Sequence, residues 1–115
     1  TPTEVSTLTN VTGVSSAYDH TCALADGGPS CWGRNWHGQV GTTLTNGTDA
    51  GISAPTVVAG LDNPSTALAT GARHTFIVNA NTTVSCFGEN RNGELGSSVN
   101  NGGDTPNPAP ALVQA

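Results

Sequence analysis

Three histidines and three cysteines hold most of the reactive potential of this chain. An imidazole titrates near neutral pH and is a common metal ligand or proton carrier, so His20 and His74 are candidates for either role. Both open the same kind of run, His20-Thr21-Cys22-Ala23-Leu24 and His74-Thr75-Phe76-Ile77-Val78. A histidine that recurs at one position of two similar stretches, each time opposite a glycine that leaves room for the ring, reads instead as a packed, hydrogen-bonded structural residue. His37 stands alone in a loop, and the sequence names no partner for it.

Gly33-x-Asn35-x-x-Gly38-x-x-Gly41 and its later copy Gly88-x-Asn90-x-x-Gly93-x-x-Gly96 have a superficial likeness to phosphate-binding loops. Neither leads into a helix carrying Lys and Ser/Thr, so the amide cradle for a phosphate is missing. Their glycines and asparagines are expected to serve left-handed turns between strands. Asn46-Gly47-Thr48-Asp49 and Asn101-Gly102-Gly103-Asp104 offer oxygen atoms, but calcium takes about six to eight of them. One carboxylate per loop is thin, and Asx-turn chemistry accounts for both loops. No carboxylate pair, nucleophile–base set or cofactor motif stands out, so no enzyme activity, metal or cofactor is expected. The formal net charge of −5, with Lys+Arg 3, lacks the basic surface that nucleic acid or an anionic membrane surface requires. No apolar run approaches the ~20 residues of a membrane span.

The elements that must hold these residues are repeated. At an offset of 55 residues, Ser30, Cys31, Gly33, Asn35, Gly38 and Gly41 fall on Ser85, Cys86, Gly88, Asn90, Gly93 and Gly96. The register continues until Ala54, Pro55 and Val58 meet Ala109, Pro110 and Val113; upstream, His20-Thr21 meets His74-Thr75 at an offset of 54. A third, partial copy opens the chain, with Pro2, Val5, Leu8 and Asn10 falling on Pro55, Val58, Leu61 and Asn63. The organisation read from this is an N-terminal partial repeat or strand over 1–13, a first repeat over 14–61 and a second over 62–115, together one structural domain.

Short Val/Leu/Ile/Ala runs alternating with polar residues, punctuated by Gly, Asn and Pro, predict an all-β chain. Asp26-Gly27 is a favoured two-residue hairpin turn. Centring on it pairs Leu24 with Pro29, Cys22 with Cys31 and His20 with Gly33. Cys22 and Cys31 then form a non-hydrogen-bonded pair with Cα atoms about 4.5 Å apart, inside disulfide range. A three-residue loop Ala80-Asn81-Thr82 preserves the same pairing in the second repeat, with Phe76 opposite Cys86 and His74 opposite Gly88. Phe76 replaces the first cysteine there, so Cys86 is left odd and is expected to be buried and inert.

Asn10, Asn46 and Asn81 each begin an Asn-x-Thr glycosylation pattern. The chain has no methionine, so Thr1 follows a processing event or a cloning boundary, and any export signal is expected to be gone already. With the expected disulfide, these features favour an extracellular or cell-surface protein.

Cys31-Trp32-Gly33-Arg34-Asn35 with Gly38-Gln39-Val40-Gly41, repeated as Cys86-Phe87-Gly88-Glu89-Asn90 with Gly93-Glu94-Leu95-Gly96, resembles the repeat of the regulator of chromosome condensation family. The Cys before Trp-Gly is similar to the bacterial, secreted branch of that family. The resemblance covers essentially the whole chain and implies two blades of a β-propeller, a fold built from four-stranded sheets and usually closed with seven of them. It does not carry over the family's nucleotide-exchange activity, which depends on a complete propeller and its own surface loops. Trp32 aligns with Phe87 and is expected in the core. Trp36 aligns with Arg91 and lies in a turn, so Trp36, His37 and Arg91 are the candidate contact residues.

Two blades cannot close a ring, and repeat arrays need about three units for stability. Either this sequence is a piece of a longer propeller, or identical chains supply the missing neighbours; the second is the leading expectation. The expected function is a secreted, self-assembling structural protein whose partner is itself, with three or four chains closing a ring or an open contact giving a filament. The surplus segment Pro2–Val5–Leu8 could add a strand to a neighbour. The alternative is a module that binds a protein or glycan through Trp36, His37 and Arg91. Nucleic acid binding and membrane insertion are not expected.

Overall fold

The computed structural model describes residues 1–26, 28–61 and 64–113. Gly27 of the predicted turn and Asn63, the counterpart of Asn10, lie outside them. The strands are β1 (Gly13–Ala17), β2 (His20–Ala25), β3 (Gly28–Arg34), β4 (Gly51–Val57), β5 (Ser65–Thr70), β6 (His74–Asn79), β7 (Val84–Gly88) and β8 (Asn107–Leu112). They form two four-stranded antiparallel sheets, ordered β1-β2-β3-β4 and β5-β6-β7-β8. Each repeat thus folds into its own sheet, as the hairpin reading requires.

The hairpin registers are those the sequence predicts. Cys22 pairs with Cys31, Leu24 with Pro29 and His20 with Gly33. Phe76 pairs with Cys86 and His74 with Gly88. The extra residue of the second hairpin is absorbed in its loop, where Asn79 N–H donates to Thr83 O at 2.9 Å and Thr82 takes a left-handed φ of 69°. Cys22 and Cys31 are disulfide-bonded with Cα atoms 4.1 Å apart.

The glycine opposite each histidine serves a different purpose from the one expected. A Cβ on Gly33 would lie 2.8 Å from the His20 Cα, and one on Gly88 would lie 2.7 Å from the His74 Cα. The backbone of the preceding turn, not the imidazole, needs the space. That turn folds over the strand so that Asp19 O accepts from Arg34 N–H at 2.8 Å, and Arg73 O accepts from Glu89 N–H at 2.9 Å.

Asn35 and Asn90 also correct an expectation. They are fully buried and clasp the long loops from inside, while the left-handed turns fall to glycines and to Thr45 and Asn100. The Asn35 amide donates to Thr42 O at 2.7 Å and to Leu44 O at 2.6 Å, and its Oδ1 accepts from Val40 N–H at 2.9 Å. Asn90 repeats the pattern with Ser97 O at 2.8 Å, Val99 O at 2.7 Å and Leu95 N–H at 2.9 Å.

Residues 1–12 contain no strand. Within the single chain, Val5 O accepts from Leu8 N–H in a turn at 3.3 Å, in the Pro2–Leu8 segment that was expected to add a strand to a neighbouring chain. The equivalent stretch of the first repeat is extended because Thr56 and Val57 pair with Cys31 and Ser30 of β3.

Candidate functional site

The two sheets stack face to face, with β5 of the second sheet against β1 and β2 of the first. The alternation of a strand sends Cys22 and Cys31 to the face of the first sheet that meets the second, and Thr75, Ile77 and Phe87 to the opposing face. Cys22, Cys31, Val40, Val58, Ile77 and Phe87 form one buried apolar cluster. The Phe87 ring lies against Gly41, where a Cβ would come within 3.1 Å of both the ring and Val58. Near the edge of this cluster, His20 Nε2 and Thr75 Oγ1 are hydrogen-bonded at 3.0 Å, and the Thr75 hydroxyl donates to Gln39 O at 2.8 Å. Because the hydroxyl proton is committed to Gln39, the imidazole acts as donor through Nε2. His20 Nδ1 is buried without a partner among the described residues. Burial holds the His20 pKa below its ordinary value, with the Asp19 charge opposing. This histidine is structural.

Two further contacts fix the stacking. At the inner strands, Ser15 Oγ meets Thr70 Oγ1 at 2.8 Å and accepts from Thr70 N–H at 3.1 Å. At the outer strands, the first sheet's long loop crosses over, and His37 O accepts from Asn107 N–H at 3.1 Å. Gly38 sits so close to Pro108 that a Cβ would be 2.6 Å from its nitrogen.

Every junction residue has a counterpart one repeat away on an outward face. His74 is half-buried where His20 is buried. Trp32, expected in the core, is half-buried where its counterpart Phe87 is fully buried, because Trp32 lies on the face of the first sheet turned away from the second. Val14 is 68% exposed where Leu68 packs on the core. Thr21 hydrogen-bonds within its own sheet, to Ser16 at 2.9 Å, where Thr75 reaches across to His20. Ala69 and Ser16 are exposed where Ser15 and Thr70 meet. On the outward face of the second sheet, a mostly apolar cavity of about 260 Å³ is lined by Cys86, Leu95, Val99 and Pro108. Cys86 is a buried free thiol, its Sγ 2.9 Å from Leu95 O, and burial pushes its pKa up to about 11.

The candidate contact residues are split. Trp36 and His37 share a recess of about 280 Å³ at the junction with Tyr18, Arg34, Gln39 and Arg73. The Arg34 guanidinium lies 5.8 Å from the Trp36 ring centroid, a cation–π distance. His37, without a partner in the sequence reading, has Glu89 of the second sheet at 3.9 Å, and Glu89 also pairs with Arg73 at 3.4 Å. Burial lowers the His37 pKa, against the pull of Glu89. Arg91 is outside this recess and pairs with Asp104 at 3.2 Å. Asp49 is likewise engaged by Arg34 at 3.0 Å, so the two loops weighed for calcium use their carboxylates on arginine. Among the described residues no three His, Cys, Asp or Glu side chains gather into a metal-binding group.

Of the three sequons, Asn10 donates its amide to Asp26 at 2.6 Å, Asn46 is half-buried, and Asn81 is exposed at the hairpin tip with Oδ1 accepting from Thr83 Oγ1 at 2.6 Å.

Residues 31–78 match the family model of the Regulator of chromosome condensation (RCC1) repeat. Over those residues the chain resembles an RCC1 repeat. The matched window runs from β3 to β6 and so spans the junction. The chain is similar to Protein RCC2 homolog of Danio rerio, with 41% identity over 66 residues, which are 56% of this chain and 12% of that protein. Among solved structures it is similar to human WBSCR16, with a TM-score of 0.77 at 20% identity, covering 91% of this chain and 26% of that one. Prp20p from Saccharomyces cerevisiae, studied with its binding properties to Gsp1p and histones, gives 0.73 at 20% identity over 93% of this chain and 24% of that one. Yeast RCC1 (Prp20) bound to Kap60 gives 0.77 at 17% identity over 100% of this chain and 26% of that one. The sheets are therefore two blades of an RCC1-type β-propeller, and the chain spans about a quarter of each such structure.

Proposed function

We propose that this chain is a self-assembling structural unit that acts outside the cell or at its surface by stacking RCC1 blades head to tail. One observation carries this reading. The outward face of the second blade presents the same residue positions that the first blade buries in the junction, and the outward face of the first presents those that the second buries. Such a pair of faces is heterologous, so repeated contact gives a closed ring when the rotation closes and a filament when it does not. The role is binding and assembly, not catalysis. The buried Cys22–Cys31 bond fits an oxidising compartment.

Sedimentation of the purified chain across a dilution series tests it. The expected result is a mass of several chains that falls on dilution, with rings or filaments in negative-stain images. A folded monomer at every concentration would sink the proposal.

The recess holding Trp36 and His37 favours a second reading, a protein- or glycan-binding module. Prp20p and yeast RCC1, which share the fold, have protein partners, in Gsp1p and histones and in Kap60. On this reading Trp36→Ala abolishes capture of a ligand and leaves the assembled mass unchanged.

A further inference from the structure

We infer that the partner on both open faces is a second copy of this chain, docked in the register of the internal junction, with Trp32 of one copy seated against Gly96 and Val113 of the other. The inference rests on the self-assembly reading and adds the residues and the direction of the contact.

The internal junction supplies the template. Phe87 fills the space beside Gly41 and Val58. The repeat places Gly96 and Val113 at the same positions on the outward face of the second blade, and Gly96 keeps a left-handed φ of 61° as Gly41 keeps 81°. It places Trp32, half-buried, on the outward face of the first blade. An aromatic side chain on an open face and a glycine-floored slot without an aromatic occupant, where Val113 Cγ1 lies 2.7 Å from the place of a Gly96 Cβ, are thus offered by opposite ends of one chain. Indole for phenyl adds volume, and a mostly apolar cavity of about 260 Å³ opens on the same face, lined by Leu95 and Ser97 on either side of Gly96.

The polar contacts follow the same rule. His74 takes the place of His20 and Thr21 that of Thr75, so an imidazole of one copy donates to a hydroxyl of the next. Ala69 takes the place of Ser15 and Ser16 that of Thr70. The outer contact has its counterpart too. Gly38 is crowded by Pro108, whereas a Cβ on Gly93 would meet nothing nearer than Asn101 at 3.8 Å, leaving that loop open to β4 of another copy. A like-to-like contact would face Trp32 with Trp32 and leave His74 without its hydroxyl partner.

Cysteine trapping on the full chain reads the register. Ser15→Cys with Thr70→Cys in one chain calibrates the geometry, because those hydroxyl oxygens are 2.8 Å apart in the internal junction. Ala69→Cys and Ser16→Cys are then made separately and oxidised alone and mixed, with linked peptides mapped by mass spectrometry. The mixture is expected to give Ala69–Ser16 cross-linked dimers and each variant alone none. Links between identical positions would show that like faces meet, overturning the register while leaving self-association standing. Assembly without any cross-link, when the calibration pair closes, would overturn it as well. Monomers throughout would instead remove the underlying reading. Trp32→Ala is expected to weaken association at least tenfold without changing the circular dichroism of the dilute chain, and an unchanged dissociation constant would exclude Trp32 as the anchor.

Discussion

Asn35 and Asn90 show how one side chain can replace a regular element. The long loops run 16 and 18 residues between strands with no strand or helix of their own, and their backbone polar groups need partners wherever they are buried. One carboxamide satisfies two carbonyls and one N–H in each loop. Asn90→Ala would leave those groups unpaired, and we expect a loss of about 2–4 kcal/mol, checked by urea unfolding. Asn90→Asp should be nearly as damaging, since a carboxylate cannot donate to Ser97 O and Val99 O. Thr82 is the opposite case. A β-branched residue at φ 69° is strained, and nothing buried depends on its exposed side chain. Thr82→Gly is expected to stabilise the chain by up to about 1 kcal/mol in the same assay, since relief of a left-handed strain of roughly 1–2 kcal/mol exceeds the added backbone entropy.

The two hairpins make a controlled comparison at the scale of the element. They share a register, yet only the first is cross-linked. Closing a loop of about ten residues is worth roughly 2–3 kcal/mol in the chain-entropy model. Mild reduction is therefore expected to speed hydrogen exchange over residues 18–35 more than over residues 72–90, where Phe76 faces Cys86 and there is no bond to lose. Equal loosening of both would show that the bond serves the junction as a whole. These hairpins were legible from the sequence because a turn dipeptide and a fixed period of two determine every pair outward from it. The loops were less so. An Asn among glycines suggests a left-handed turn, and only the packed structure reveals that Asn35 points inward. Trp32 was legible as apolar, but its half-burial was not, because one blade's sequence does not say which of its faces is turned to a neighbour. The His37–Glu89 contact joins residues from different blades with no local pattern to mark it.

The whole molecule is held by a thin core. Its radius of gyration of 13.2 Å matches the roughly 13 Å of a globular chain of this length, yet the interior between its sheets is one side-chain layer carrying a buried histidine. That histidine ties blade packing to pH. His20 sits between Thr75 and the disulfide face with Nδ1 unpartnered, and burial lowers its pKa from the ordinary 6.5. His37, across the junction from Glu89, is lowered in the same direction, again chiefly by burial. In the unfolded chain both take up protons near pH 6.5, before the folded chain does, so acid favours unfolding. The stability they contribute is fully present above about pH 6.5 and is lost as pH falls through that value toward their folded ones. Thermal unfolding followed at pH 7.5 and 5.5 should show a lower midpoint at 5.5. Asp49 and Asp104, paired with Arg34 and Arg91, are exposed and contribute little to this window. Ring-proton NMR identifies the group: the His20 resonance should titrate below the ordinary range, and His20→Gln, if it folds, should flatten the pH dependence. An imidazole that titrates at or above 6.5, or a midpoint that rises in acid, would mean that the junction accommodates the charge and that the blades are held by something other than a dry interface.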